Sequence, residues 1–370
     1  MARIGSVGFR GWAVTPGARF LLFVVGQLFV WGTANLAAQD RPVQQNEPIP
    51  TLHVYANLIQ IPTLVLGPNR ERISKPIAEN RFSISVDSGP WFPATHVRPE
   101  GDDPISLSIL LDFSGDTLGL MPKIGDAIAG LVPLSLHPKD HVSIYSLDCF
   151  LIQSLNDVPA EAGVFDVAVA EARRSGTIRR QHEQGMNCPQ FGQLWDALAR
   201  IVGELSNLPG RRVILAVTEG QDTGSHEKWN ELRALAQTTG VAIFGLGYRP
   251  SGSLRTHMPQ RYEDIFNSVC QLSGGMVITT DGAFLSQDLK RFTEMLRERY
   301  IVEVPRPADA TPGEHGIQVK VAKGDDDFIR PAGITVPVPD AAVLADPTTV
   351  PSDPSHTPEI GARKVMTKPQ

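Results

Sequence analysis

Residues Pro104–Asp116 read PISLSILLDFSGD. The stretch opens as an apolar run, Ile105 to Leu111, and breaks into Asp112-Phe113-Ser114-Gly115-Asp116. An apolar run of this length with a turn signal behind it predicts a strand buried on both faces. Leu118, Met121, Ile124, Ile128, Leu131 and Val132 then recur at spacings of three and four, which predicts a helix. The polar cluster therefore sits on the loop between a central strand and a helix. In open α/β sheets, ligands bind at that carboxyl end of the strands. Asp112 and Ser114 both offer oxygen, the donor atom a hard divalent cation takes.

Outward from this stretch the alternation continues. His141–Cys149 (HVSIYSLDC) and Phe150–Leu155 read as the next two strands, Arg212–Thr218 (RVILAVT) as a further buried strand, and Val241–Leu246 and Met276–Thr280 as the last two. Between them, helices are predicted at 160–173, 191–205, 225–239, 261–272 and 284–299. Leu194, Trp195, Leu198, Ile201, Val202 and Leu205 line one face of the second of these. In the third, Ser225 reads as N-cap, Trp229, Leu232 and Leu235 as inward, and Gly240 as the stop. Residues 175–189, SGTIRRQHEQGMNCP, are polar and aperiodic and read as an exposed insertion. The expected fold class over 104–299 is α/β, a doubly wound, mostly parallel sheet of six strands. Right-handed crossovers place the loops after Leu111 and Val217 on the same sheet edge.

The flanks differ. Residues 1–38 carry Arg3, Arg10 and Arg19 ahead of the apolar run Phe20–Trp31, then small residues up to Ala38. This predicts a secretory signal peptide cleaved after Ala38, with an uncleaved membrane anchor as the alternative. Residues 39–50 read as a linker. Residues 51–103 read as a β segment, with Phe82, Ile84 and Val86 alternating against Ser83 and Ser85. Residues 300–337 read as a second β segment, expected to pack with the first as a small sandwich that covers edges neither could cover alone. Residues 338–370, rich in Pro, Thr, Asp and Ser, are expected to be disordered.

The net charge is −6, and losing residues 1–38 removes three arginines and no acid, which makes it −9. With no basic block, nucleic acid is excluded as the expected partner. Of the three cysteines, Cys149, which precedes the 175–189 segment, and Cys188, which lies within it, are the expected disulfide of an exported chain. Cys270 shares an apolar helical face with Ile265, Phe266, Val269 and Leu272 and reads as a buried free thiol. No Gly-x-Ser-x-Gly elbow, His-Glu-x-x-His or phosphate loop is present in the sequence. Asp166, His182 and His226 are scattered and read as surface residues, so the chain is not expected to be an enzyme. A Cys188-dependent hydrolase or redox enzyme is the third-ranked alternative.

ILLDFSGD resembles the Asp-x-Ser-x-Ser signature of von Willebrand factor A domains, which marks a metal-ion-dependent adhesion site. VILAVTEGQD resembles that family's strand ending in Thr-Asp-Gly, and SGGMVITTD its Gly-Gly turn before the last strand. The flanking β segments are similar to those of exported bacterial A-domain proteins, abundant in Acidobacteria, so the resemblance spans about 51–337. It implies a protein-binding or adhesion-type module at the cell envelope, the partner being a protein. It also implies one divalent cation, Mg²⁺ or Ca²⁺, held by Asp112, Ser114, Asp116 and Glu219.

This chain departs from the family pattern at three positions. Asp116 replaces a Ser, Gly192 or Gln193 stands where a Thr is expected, and Glu219 replaces an Asp. Three carboxylates around a dication leave a net charge of −1, which favours Ca²⁺ over Mg²⁺ and repels an acidic ligand. The alternative is a metal-free scaffold in which Asp116 caps the following helix and contacts run through 175–189 or the β unit. The expected partner loops are Phe113–Thr117, residues 177–191 and Glu219–Ser225, with Phe113, Gln193 and Asp222 as contact residues.

Overall fold

The computed structural model describes residues 58–101, 103–134, 136–183, 192–248, 260–307, 313–324, 327–332, 334–336, 355 and 357–361. At 116, 118, 133–134, 162, 179–183, 260–264, 314 and 334–336 the backbone alone is described. The predicted signal peptide (1–38) and linker (39–50) lie outside these residues.

The quoted stretch forms strand β1 (Ile105–Asp112), and all eight of its residues are buried. The other strands of its sheet are β2 (His141–Leu147), β3 (Leu151–Pro159), β4 (Arg211–Val217), β5 (Val241–Tyr248) and β6 (Val277–Thr280). Their order is β6-β5-β4-β1-β2-β3, with β3 alone antiparallel. β1 is thus central, and burial on both faces explains its unbroken apolar run. The expected doubly wound, six-stranded, mostly parallel sheet is the fold observed.

Helices α1 (Met121–Ala129), α2 (Ala162–Glu183), α3 (Leu194–Leu205), α4 (Trp229–Thr239), α5 (Gln260–Leu272) and α6 (Leu285–Arg297) cover the two faces. Ile105, Leu107, Ile109 and Leu111 pack into one core with α1, α2 and α6. Leu110, on the opposite face, packs with α3, α4 and α5. The alternation of a strand divides one apolar run between two cores. Each fully buried aliphatic side chain contributes about 1.5–3 kcal/mol.

The N- and C-terminal β segments interleave. Leu58–Leu66 pairs antiparallel with Tyr300–Pro305 and Phe328–Pro331, and His96–Pro99 adds a fourth strand beside Tyr300–Pro305. Phe82–Val86 pairs with Ile317–Val321 and Phe92–Pro93. The two sheets share an apolar cluster that includes Ile61, Phe82, Ile84, Val302 and Val319. Gly313–His315 and Ile334–Val336 form a further two-stranded ladder.

Three sequence expectations need correcting. Residues 175–183 are the end of the 22-residue helix α2, not an exposed insertion. Its buried stripe runs Phe165, Val169, Ala172 and then Gly176. A Cβ at Gly176 would lie 2.6 Å from the Phe113 ring, so glycine lets the helix close on that ring and leaves no hydrophobic signal. In α4, Leu232 and Ala236 are buried, while Trp229 and Leu235 lie on the exposed side. The helix begins at Trp229, with the Lys228 N–H donating to Glu231 Oε2 at 3.0 Å, whereas Ser225 bonds Asp222 instead. Gly240 ends the helix at φ 66°, as expected. Finally, residues 357–361 of the tail expected to be disordered are docked. Ile360 bridges Val86 in parallel, the Gly361 N–H donates to Val86 O at 3.1 Å, and Thr357 is buried. A contact made through backbone groups does not show in the composition of a Pro-rich tail.

Candidate functional site

The loops after β1 and β4 meet at the carboxyl edge of the sheet, as the crossover argument requires. β1 and β4 are hydrogen-bonded neighbours, with Leu111 opposite Val217. This register sets Asp112 beside Thr218. Both are buried, and the Thr218 hydroxyl donates to Asp112 Oδ2 at 2.6 Å. Asp112 Oδ1 accepts from the Ser114 N–H at 3.0 Å and the Ser114 hydroxyl at 2.6 Å. Glu219 Oε1 accepts from the Thr117 N–H at 2.9 Å, and its Oε2 accepts from Gln221 Nε2 at 3.3 Å. The carboxylates of the two loops are therefore cross-linked to each other's loop by hydroxyl and N–H donors.

Asp112, Ser114, Thr117, Thr218 and Glu219 all present oxygen. The Thr117 hydroxyl is fully buried and has no hydrogen-bond partner, so it needs an acceptor or a cation. In donor chemistry this set fits one hard divalent cation. Among the described residues, no group of three or more His, Cys, Asp or Glu side chains is placed to hold a metal. The Asp116 side chain lies outside the described residues. Thr218 and Thr117 were not singled out from sequence, although Thr218 sits inside the quoted VTEG run. Their role depends on strand register, which sequence does not display.

The third loop is drawn in by α3. Gly192 is buried against Leu147, where a Cβ would meet that side chain at 2.8 Å, and its carbonyl accepts from Thr223 N–H at 3.2 Å. Gln193 is exposed and donates to Gly224 O at 3.0 Å. Asp222 accepts from Trp195 N–H at 3.1 Å, at the start of α3, and from Ser225 Oγ. Asp196 accepts the N–H groups of His226 and Glu227 at 3.1 and 2.8 Å, and pairs with the His226 ring. Burial alone would raise the Asp196 pKa, but these bonds outweigh it and hold the carboxyl below its ordinary value. Gln193 and Asp222 thus lie together on one loop cluster. Phe113 does not offer a surface: it is fully buried under Gly176, and its N–H donates to Leu147 O at 2.8 Å.

Two exposed aromatics on this edge were also missed. Phe150, in the β2–β3 turn, is 65% exposed, and Phe284, after β6, is 62% exposed. Phe284 borders a cavity of about 430 Å³ with Thr279, Asp281 and Asp288. Single exposed aromatics give no periodic signal. Cys149 is disulfide-bonded and Cys270 is free and buried, where burial pushes its thiol pKa up. Cys188 lies outside the described residues.

No protein-family model and no curated protein matches the chain. Among solved structures, it is similar to proximal thread matrix protein 1 of the mussel byssus, at 14% identity and TM-score 0.39. That match covers 57% of this chain and 51% of the other, so this chain spans about half the length of the byssus protein. A second structure of the byssus protein has a zinc-occupied MIDAS motif. BatB from Bacteroides thetaiotaomicron matches at 16% identity and TM-score 0.37, over 51% of this chain and 99% of the other. A point mutant of the PilB minor pilin from Streptococcus sanguinis matches at 11% identity and TM-score 0.38, over 53% of this chain and 62% of the other.

Proposed function

We propose that this chain is an exported binding module that holds a protein partner on the loops at the carboxyl edge of its sheet. The observation that carries this reading is the cross-linking of three loops, after β1, before α3 and after β4, by side-chain hydrogen bonds. Loops fixed in this way present a preformed surface, which lowers the ordering cost of association. Gln193, Asp222 and the exposed Phe150 and Phe284 are the proposed contacts. Asp112, Ser114, Asp116 and Glu219 are the proposed ligands of one divalent cation, Mg²⁺ or Ca²⁺, whose charge would offset the acids there. Cys188 is the proposed disulfide partner of Cys149, since Cys270 is free. The site of action is the cell envelope or beyond. Among the described residues no helix is long and apolar enough to cross a membrane, so contact with the bilayer would run through residues 1–38 if they stay attached.

A second reading, a metal-free scaffold, is favoured by the closure of both Asp112 oxygens on Ser114 and Thr218. Calorimetric titration of residues 39–370 with Mg²⁺ and Ca²⁺, beside Asp112→Ala, separates the two. Saturable binding lost in the variant supports the ion site; no binding of either ion leaves the scaffold reading. Cross-linking in envelope fractions, with Gln193→Arg and Phe150→Ala, then tests the surface. Unchanged cross-links in both variants would remove the loops as the binding face.

A further inference from the structure

A second cleft lies at the other end of the sheet. α5 returns from the carboxyl end of β5 to the start of β6, so its last turns lie at the amino ends of the strands. There Asn267, Ser268 and Gln271 face the strands Ile317–Val321 and Phe328–Pro331 across a cavity of about 490 Å³. Ligand clefts commonly measure ~300–1,000 Å³. Both strands are outermost in their sheets. The Ile329 carbonyl is already taken by Arg330 and Pro331 has no N–H, so side chains rather than a free strand edge define the cleft.

Charge selects what would lie there. Among the described residues lining the cleft there is one guanidinium, Arg330, and no carboxylate. Arg330 Nε donates to Gln271 Oε1 at 2.7 Å and Nη1 to Ile329 O at 2.7 Å, and its Cζ lies 4.1 Å from the centre of the Phe328 ring. Arg70 reaches the same ring at 5.0 Å. No described carboxylate forms an ion pair with either arginine. Burial, with the charge of Arg70 beside it, pushes the Arg330 pKa below its ordinary value. A half-buried cation with neutral partners and a like charge nearby gains from an anion.

The geometry points to a docking groove for an acidic peptide segment of a partner protein, with a carboxylate on Arg330 and Arg70. The guanidinium pair supplies selectivity for a carboxylate over an amide. The groove lies at the opposite end of the sheet from Asp112, so it stands or falls independently of the loop surface.

The test uses the full exported chain and two pools of fluorescent octapeptides, one with four acidic positions and one with the matching amides. Anisotropy should show saturable binding of the acidic pool, at least tenfold tighter than the amide pool. Arg330→Gln should weaken it tenfold or more and Arg70→Gln about threefold, with circular dichroism unchanged. If Arg330→Gln fails to fold, Arg70→Gln and Arg330→Lys decide, the latter keeping charge but losing the fork. Equal binding of the two pools, no binding of either, or no change in the folded variants would overturn the proposal. So would full displacement by inorganic phosphate at equal concentration, which would mark a free-anion site only.

Discussion

At the carboxyl end of the central sheet, Asp112 and Glu219 meet hydroxyls and backbone N–H groups. At the amino end, two buried acids meet three arginines. Glu100 lies 3.2 Å from Arg299 Nε and 3.8 Å from Arg211 Nη1, and Arg297 pairs with Asp140. Arg211 also donates to the carbonyls of Leu296, Gly101 and Asp103, while Asp140 accepts the N–H of Ile105 at the start of β1. Each acid at the amino end is met by an arginine, and these bonds join the start of β1, the end of α6 and the strand after it. At the carboxyl end the donors described above are the neutral Ser114 and Thr218 hydroxyls, the Thr117 N–H and the Gln221 amide. Buried pairs are costly to break, whereas hydroxyl donors can rotate toward a new acceptor at little cost.

The sharpest way to break this contrast is Glu100→Gln. It leaves Arg211 and Arg299, both more than nine-tenths buried, without their carboxylate. The expected loss is about 3–5 kcal/mol in urea unfolding, and a loss under about 1 kcal/mol would deny the joint its structural role. At the other end, Asp112→Ala strands the Ser114 and Thr218 hydroxyls and should cost about 1–3 kcal/mol. A larger loss than that of Glu100→Gln would reverse the comparison.

Gly176→Ala probes the same end from beneath. A helix gains about 1 kcal/mol from Gly to Ala, but the added methyl overlaps the Phe113 ring and should cost about 1–3 kcal/mol. Net destabilisation is expected, and a stabilised variant would show that α2 does not close on Phe113. The smallest effect is that of pH on the loop before α4. The Asp196 carboxyl is held below its ordinary value, so its contribution is present above the unfolded pKa and is lost as pH falls through the folded one. Protection of the His226 and Glu227 amides against hydrogen exchange, relative to their intrinsic rates, should therefore fall below about pH 4, and Asp196→Asn should flatten that fall. An unchanged profile in the variant would assign the acid response to another group.

Much of this molecule was legible along the chain. The buried strands, the helices between them and Gly240 as a stop all follow from local pattern, because strand burial and helix amphipathicity repeat at fixed periods. The end of α2 was not legible, since the residue that fills its buried face is Gly176. The docking of residues 357–361 was not either, since backbone bonds to Val86 and the burial of Thr357 and Pro358 carry it, with no apolar period. At the site, Asp112 and Ser114 could be named from the turn signal that ends β1, and Glu219 from the resemblance of VILAVTEGQD to a strand ending in Thr-Asp-Gly. That Thr218 bonds Asp112 and that Glu219 receives the Thr117 N–H depends on parallel register between segments over 100 residues apart. Burial of Phe113 depends on a helix crossing over it.

Sequence by itself determined the α/β sheet, its central strand and the edge on which the polar loops gather, because each is written in the periodicity of one segment. Tertiary structure alone decided which polar groups bond which, where the arginines find acids and where Arg330 does not. Those outcomes turn on distances of a few ångströms between segments far apart in the chain, and no local pattern encodes them.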